Sequence, residues 1–142
     1  MLNTNVLGAT LVLRKAAAMF DHAKVGNIVN INSMSGHRVV QSPDTHFYTM
    51  TKYAVTALTE ATRQEMRQMG SKVRVNQISP GFVATDFFNQ VSQDAEYQAR
   101  MDAIVDTALT VENIVESIML TLVVSANCQV GDVQMRPTVQ LS

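Results

Sequence analysis

Residues 26–36 read GNIVNINSMSG and residues 72–81 read KVRVNQISPG. Each is a short β-branched run that closes on a serine and a turn signal: Ser33 ahead of Gly36, and Ser79 ahead of Pro80–Gly81. Runs of this length and composition read as strands, over Asn27–Asn32 and Lys72–Ser79. Their near-continuous apolarity suits strands covered on both faces. Between them, Tyr48–Met69 carries Ala54, Val55, Leu58, Ala61, Thr62 and Met66 at helical spacing, and Gly70 stops it. Strand, helix and strand of these lengths predict a parallel pair joined by a right-handed helical crossover.

Outward from this unit the alternation continues. Leu2, Val6, Ala9, Leu13, Ala16, Ala17 and Phe20 predict a helix over Leu2–Phe20. The stretch Met34–Phe47 holds Gly36, Ser42, Pro43 and Asp44 and reads as loop. Downstream, Phe82–Leu109 reads as irregular or weakly helical, Thr110 caps a helix to about Val124, and Val130–Met135 is a last strand. The fold class is α/β with a parallel sheet. One domain spans residues 1–142, because 142 residues suffice for one domain and not for two.

Composition narrows the function classes. Apolar residues make up 46% of the chain and charged residues 16%, which excludes a disordered chain. Eleven Lys+Arg face twelve Asp+Glu, so no basic surface of the kind nucleic acid demands is present. A single cysteine and three histidines offer no zinc-module spacing, and no metal site is expected. No apolar run reaches the roughly 20 residues of a membrane span. Met1–Leu13 lacks the basic start of a secretory signal. The expectation is a soluble, cytoplasmic protein in a reducing compartment.

In open α/β sheets, ligands sit outside the carboxyl ends of the strands. Those ends are Asn32–Met34 and Ser79–Gly81. Close by in the chain, Tyr48 and Lys52 (YTMTK) share a helix face at i, i+4. A free phenol has a pKa near 10, and a nearby ammonium lowers it, so the pair forms a candidate proton donor and acceptor. Ser33 can offer its hydroxyl to the same reacting oxygen.

Taken together, GNIVNINSMSG, YTMTK and VRVNQISPGFVATDF resemble the short-chain dehydrogenase/reductase family. Ser33 precedes Gly36 as that family's strand-end serine precedes its glycine. Tyr48 and Lys52 match its Tyr-x-x-x-Lys, and Pro80, Gly81 and Thr85 match the Pro-Gly and following Thr. Asn5 and Gly8 match its helical N-x-x-G. The opening LNTNVLGATL and the tail VGDVQMRPTVQ are similar to the branch of family member 11 and the insect farnesol dehydrogenases.

The resemblance implies a partial domain: the C-terminal half of a doubly wound, Rossmann-like parallel sheet, first strands missing. The six glycines, at 8, 26, 36, 70, 81 and 131, form no G-x-G-x-x-G phosphate turn. It implies NADP(H) as the favoured cofactor, with NAD(H) as the alternative, and a small hydrophobic alcohol or ketone as substrate. In it Tyr48 is the general acid/base, and Lys52 lowers the Tyr48 pKa and binds the nicotinamide ribose. Ser33 orients the substrate oxygen, and Asn5 holds a relay water. Pro80, Gly81, Val83 and Thr85 contact the nicotinamide end. The family also implies a homo-oligomer built through the two long helices. The step from Ser33 to Tyr48 is slightly longer than in many members, which puts extra loop at the substrate mouth. The alternative reading is a catalytically inactive chain that acts by associating with a full-length partner.

Other residues are read plainly. Phe82, Phe87, Phe88, Val91 and Tyr97 either form an apolar lid or cover the sheet. His37 and His46 are expected to be solvated loop residues, Cys128 a buried apolar one, and most of the nine methionines core.

Overall fold

The computed structural model describes residues 1–20, 25–39, 45–85 and 95–140. Within them the chain forms α1 (Ala9–Phe20), β1 (Val25–Ile31), α2 (His46–Gln68), β2 (Lys72–Pro80), α3 (Ala95–Val105), α4 (Val111–Val123) and β3 (Asp132–Met135). The three strands make one parallel sheet in the order β1-β2-β3. The expected alternation is present, with boundaries moved by one or two residues. One part differs in kind: Leu2–Gly8, expected as the start of α1, is a wider, π-type helix. Within the stretch expected to be irregular or weakly helical, Ala95–Val105 is the helix α3.

The core lies between β1, β2 and the two helices α1 and α2. Leu13, Ile28, Met66, Val73 and Val75 are buried together, and Ala16, Ala17, Phe20 and Leu58 pack against them. Even-numbered β1 residues face this layer. Asn27 faces the other way, where its amide donates to the Thr121 carbonyl of α4 (2.8 Å). That alternation is the pleat of a strand with a helix layer on each side.

Coverage is unequal. Val73 and every residue of β2 from Val75 to Pro80 are buried. Ile28 is the one buried residue of β1, whereas Val25 is 62% and Ile31 51% exposed. The expectation that both strands are covered on both faces therefore holds for β2 and fails for β1, an edge strand. The methionine expectation fails too. Met34 and Met66 are buried, while Met1, Met19, Met50, Met69 and Met119 are exposed. Cys128, expected inside, is exposed after α4.

Side chains finish what the short strand β3 leaves open. β3 pairs with β2 only from Gln77 to Pro80. One step below, the Gln129 carboxamide accepts from the Val75 N–H (3.2 Å) and donates to the Val75 carbonyl (3.0 Å). It also donates to Asn76 Oδ1, which accepts from the Gly131 N–H as well. At the far end of α4, the Arg74 guanidinium donates to the Val124 (2.9 Å), Ser125 (3.3 Å) and Leu122 (3.4 Å) carbonyls. The Leu122 and Val124 carbonyls stand at the helix end, where intrahelical partners are missing, and the Ser125 carbonyl also accepts from the Cys128 N–H (2.9 Å). The start of α4 is closed by a capping box between Thr110 and Asn113.

Candidate active site

β1 and β2 run in register to Ile31 and Ile78, and the Asn32 N–H donates to the Ile78 carbonyl (2.7 Å). The two carboxyl ends therefore stand side by side, with Ser33 beyond one and Gly81 beyond the other. Ser33 opens a tight 3₁₀ turn over Met34–Gly36 and caps it: its Oγ accepts from the Ser35 N–H (3.1 Å). The turn then meets α2 at Gly36. A Cβ there would lie 2.8 Å from the Lys52 carbonyl, 2.8 Å from Thr56 Oγ1 and 2.6 Å from Asn32 Nδ2. Only a residue without a side chain lets the turn sit this close to the helix.

That approach brings the three candidate residues together. Ser33 hydrogen-bonds the Tyr48 side chain. One helical turn on, Lys52 Nζ lies 5.6 Å from the centre of the Tyr48 ring. The ammonium donates to the Ile31 (3.3 Å) and Asn32 (3.4 Å) carbonyls at the end of β1. Asn5, in the π-type helix, reaches α2 by another route. Its Nδ2 donates to Thr51 Oγ1 (3.0 Å), and Thr51 donates to the Tyr48 carbonyl (2.7 Å). Asn5 and Lys52 also line one cleft of about 260 Å³ with Thr4 and Asn30. A volume of this size admits several waters.

The electrostatics differ from the expectation of a lowered phenol pKa. Burial pushes Tyr48 above the ordinary 10.0 and outweighs the hydrogen bond from Ser33, which pulls it down. Burial likewise lowers Lys52 from the ordinary 10.5, because the ammonium loses water. The phenol is thus protonated at neutral pH.

The residues after β2 form the neighbouring wall. Pro80 pairs with Met135, and the Gly81 N–H donates to the Met135 carbonyl (2.7 Å). The tail crosses over them: Gln140 Oε1 accepts from the Phe82 N–H (3.0 Å), and a Cβ on Gly81 would press on Arg136. Val83 bridges to Leu109, and Thr85 stands exposed beyond. Phe82, Ile104, Pro137 and Val139 line an apolar cleft of about 280 Å³ here. Of the expected lid, Phe87, Phe88, Val91 and the Tyr97 side chain lie outside the described residues.

His37 is half-buried and bonded inward, not a freely solvated loop residue. Its ring Nε2 lies 2.8 Å from the hydroxyl of the fully buried Ser79 and 3.4 Å from the Gln77 amide. Gln77 in turn accepts from Asn32 Nδ2 (3.3 Å), which also donates to Thr56 Oγ1 (2.8 Å). The readable signal for this network was the pair of amides near the ends of apolar strands, Asn32 and Gln77. Buried amides need partners. Among the described residues, no group of three His, Cys, Asp or Glu could hold a metal ion. No helix there is long and apolar enough to cross a membrane.

Known proteins resemble this chain in sequence and in fold. Residues 1–96 match the family model described as short chain dehydrogenase. Over its whole length the chain is 44% identical to dehydrogenase/reductase SDR family member 11 of Bos taurus, covering 56% of that protein. Over 96% of its length it is 34% identical to farnesol dehydrogenase of Aedes aegypti, covering 53% of it. The chain thus spans about half the length of the curated relatives it matches. A closed serine dehydrogenase complexed with NADP+ superposes with a TM-score of 0.86 at 26% identity, over all of this chain and 56% of that one.

Proposed function

Because this chain belongs to the short-chain dehydrogenase family, we propose that it carries the proton-transfer part of an NAD(P)-dependent oxidoreductase acting on a hydrophobic alcohol and its carbonyl. The observation that carries the reading is the meeting of Ser33, Tyr48 and Lys52 at the carboxyl edge of a parallel sheet. In this reading Tyr48 is the general acid/base. A protonated phenol is ready to give its proton to a carbonyl oxygen, which is the reductive direction. Ser33, already hydrogen-bonded to Tyr48, orients that oxygen. Two of the three Lys52 N–H groups are spent on the Ile31 and Asn32 carbonyls, which leaves one for a ribose hydroxyl. Asn5 and Lys52 share a polar cleft wide enough for a water relay. Pro80, Gly81, Val83 and Thr85 hold the nicotinamide end, and nicotinamide, when bound, supplies or accepts the hydride.

The finer assignments rest on likeness and surface. NADP(H) is favoured by the relative solved with NADP+. A hydrophobic substrate is favoured by the farnesol dehydrogenase relative and by the apolar cleft beside Phe82. A homo-oligomer through α1 and α2 is favoured by the exposed Leu11, Val12, Met19, Met50 and Tyr53. The test is a nicotinamide-fluorescence titration of the chain with NADPH and NADH. Micromolar binding that Tyr48→Phe keeps, with turnover that Tyr48→Phe loses, is the expected result. Absence of binding up to millimolar cofactor overturns the reading for this chain. A second reading, a non-catalytic chain that pairs with another, is favoured by the exposed Val25 and Ile31 of edge strand β1. It predicts self-association or partner capture without cofactor binding.

A further inference from the structure

The polar network behind Ser33 has a direction that can be followed proton by proton. Thr56 has one hydroxyl proton, and it goes to the Gly36 carbonyl (2.9 Å) or the Lys52 carbonyl (3.2 Å). Its lone pair therefore faces Asn32, so the Asn32 atom there is the NH₂ group (2.8 Å). The second proton of that NH₂ goes to Gln77 Oε1 (3.3 Å). The other end of the Gln77 amide, again NH₂, then faces His37 Nε2 (3.4 Å). A nitrogen that faces an N–H donor is a lone pair. Ser79 Oγ, 2.8 Å away, donates to it as well. His37 thus carries its proton on Nδ1 and accepts twice at Nε2.

The position of this ring matters for the site. The turn that begins at Ser33 ends at His37: the Gly36 N–H donates to the Ser33 carbonyl (2.9 Å), and the His37 N–H to the Met34 carbonyl (3.0 Å). Gly36 presses one side of the turn on α2, which carries Tyr48 and Lys52. His37 fixes the other side to Gln77 and Ser79, both fully buried in β2. We propose that His37 is a positioning residue. It anchors the Ser33–Gly36 turn to β2 and so sets where the Ser33 hydroxyl stands against Tyr48. This rests on the oxidoreductase reading above for its catalytic consequence, and on the hydrogen-bond chain alone for its structural part.

Two measurements test it. A long-range ¹⁵N–¹H spectrum of the histidine rings in the full chain is expected to show His37 protonated on Nδ1 and bare at Nε2. A proton on Nε2 overturns the chain of donors. The second is kinetic, with farnesol and NADP+ as probes. Ser33→Ala is expected to lower kcat about a hundredfold. His37→Leu should lower it about tenfold, with KM for NADP+ changed less than about twofold. Added to Ser33→Ala, His37→Leu should cost less than about twofold more, because it acts through Ser33. His37→Gln, which keeps an acceptor, should recover most of the loss. Full additivity, or equal damage from Gln and Leu, overturns the proposal.

If the unaltered chain shows no Tyr48-dependent turnover, the oxidoreductase reading has failed and the proposal is decided by amide shifts. His37→Leu must then move the Ser33–Gly36 resonances, and a change confined to His37 and Arg38 refutes it. Should His37→Leu fail to fold, Ser79→Ala removes one donor more gently and must move the same resonances.

Discussion

Replacing Gly36 by alanine tests whether close contact between the serine turn and α2 holds the site together. The new methyl would stand 2.8 Å from the Lys52 carbonyl and from Thr56 Oγ1, and 2.6 Å from Asn32 Nδ2. Real carbon contacts are near 3.5 Å or more, so the turn and the helix must separate by several tenths of an ångström. One of the three atoms is helix backbone and cannot swing aside. The second is a threonine hydroxyl that already bonds the Gly36 carbonyl, and the third an amide pinned between Thr56 and Gln77. Overpacking of this kind costs about 1–3 kcal/mol. The obstructing atoms have little freedom, so the upper half of that range is expected.

For a chain of this size that is a fall in Tm of about 3 °C per kcal/mol. Urea unfolding, followed by far-UV circular dichroism, measures it directly. Gly70→Ala is the control. Its position has open space around it but a φ of 68°, so the penalty there is backbone strain alone, about 1 kcal/mol. Thr56→Ala in the Gly36→Ala background should give only partial relief, because the Lys52 carbonyl stays. A Gly36→Ala chain as stable as the parent, or less affected than Gly70→Ala, refutes the packing argument.

Four further outcomes are expected. Stability should fall as pH climbs from 10 through the raised Tyr48 pKa, because the folded chain holds a phenol proton that the unfolded chain gives up; Tyr48→Phe should lack this loss in urea unfolding at pH 9–11. Lys52 acts oppositely: its folded pKa lies below 10.5, so burial of the ammonium destabilises the fold at neutral pH and the penalty lifts as pH rises through that value. Lys52→Met should therefore be no less stable than the parent near neutrality and should lack that rise. Arg74→Ala should cost about 1–2 kcal/mol and speed amide exchange in the last turn of α4, whose carbonyls it holds; unchanged exchange there would contradict the capping role. Cys128 should react with a thiol reagent in the native chain about as fast as after denaturation, and protection in the native state would show it to be covered.

Much of the site was readable because its spacing is local. Tyr48 and Lys52 lie one helical turn apart, and a turn signal follows each strand-end serine. The Thr110 cap was readable for the same reason: both partners of its box lie within four residues. The failures are non-local. His37 sits among loop formers, and nothing in its neighbours says that its ring turns back onto residues 40 positions later. Leu2–Gly8 keeps a helix-like apolar spacing, which cannot distinguish an α turn from a wider one. Cys128 was assigned by residue type, but it follows a helix end in a turn, where the chain runs over the surface. The methionines were misread because apolar character does not say which helix face has a neighbour. Met19 and Met50 lie on surfaces that nothing in the described chain covers. The phenol pKa was misjudged by weighing the ammonium and omitting desolvation, which here is the larger influence.

The Gln129 carboxamide has one more consequence. A four-residue strand such as β3 has few contacts with which to choose its alignment, and sliding by one residue would swap Val133 and Met135 with Asp132 and Gln134 across the sheet. Gln129 and Asn76 together grip the chain just before β3 begins, and the Gly81 N–H grips Met135 at its end. The strand is thus held at both termini in the observed alignment. Correct threading of the last strand is decided less by its own apolar residues than by the groups that hold its two ends.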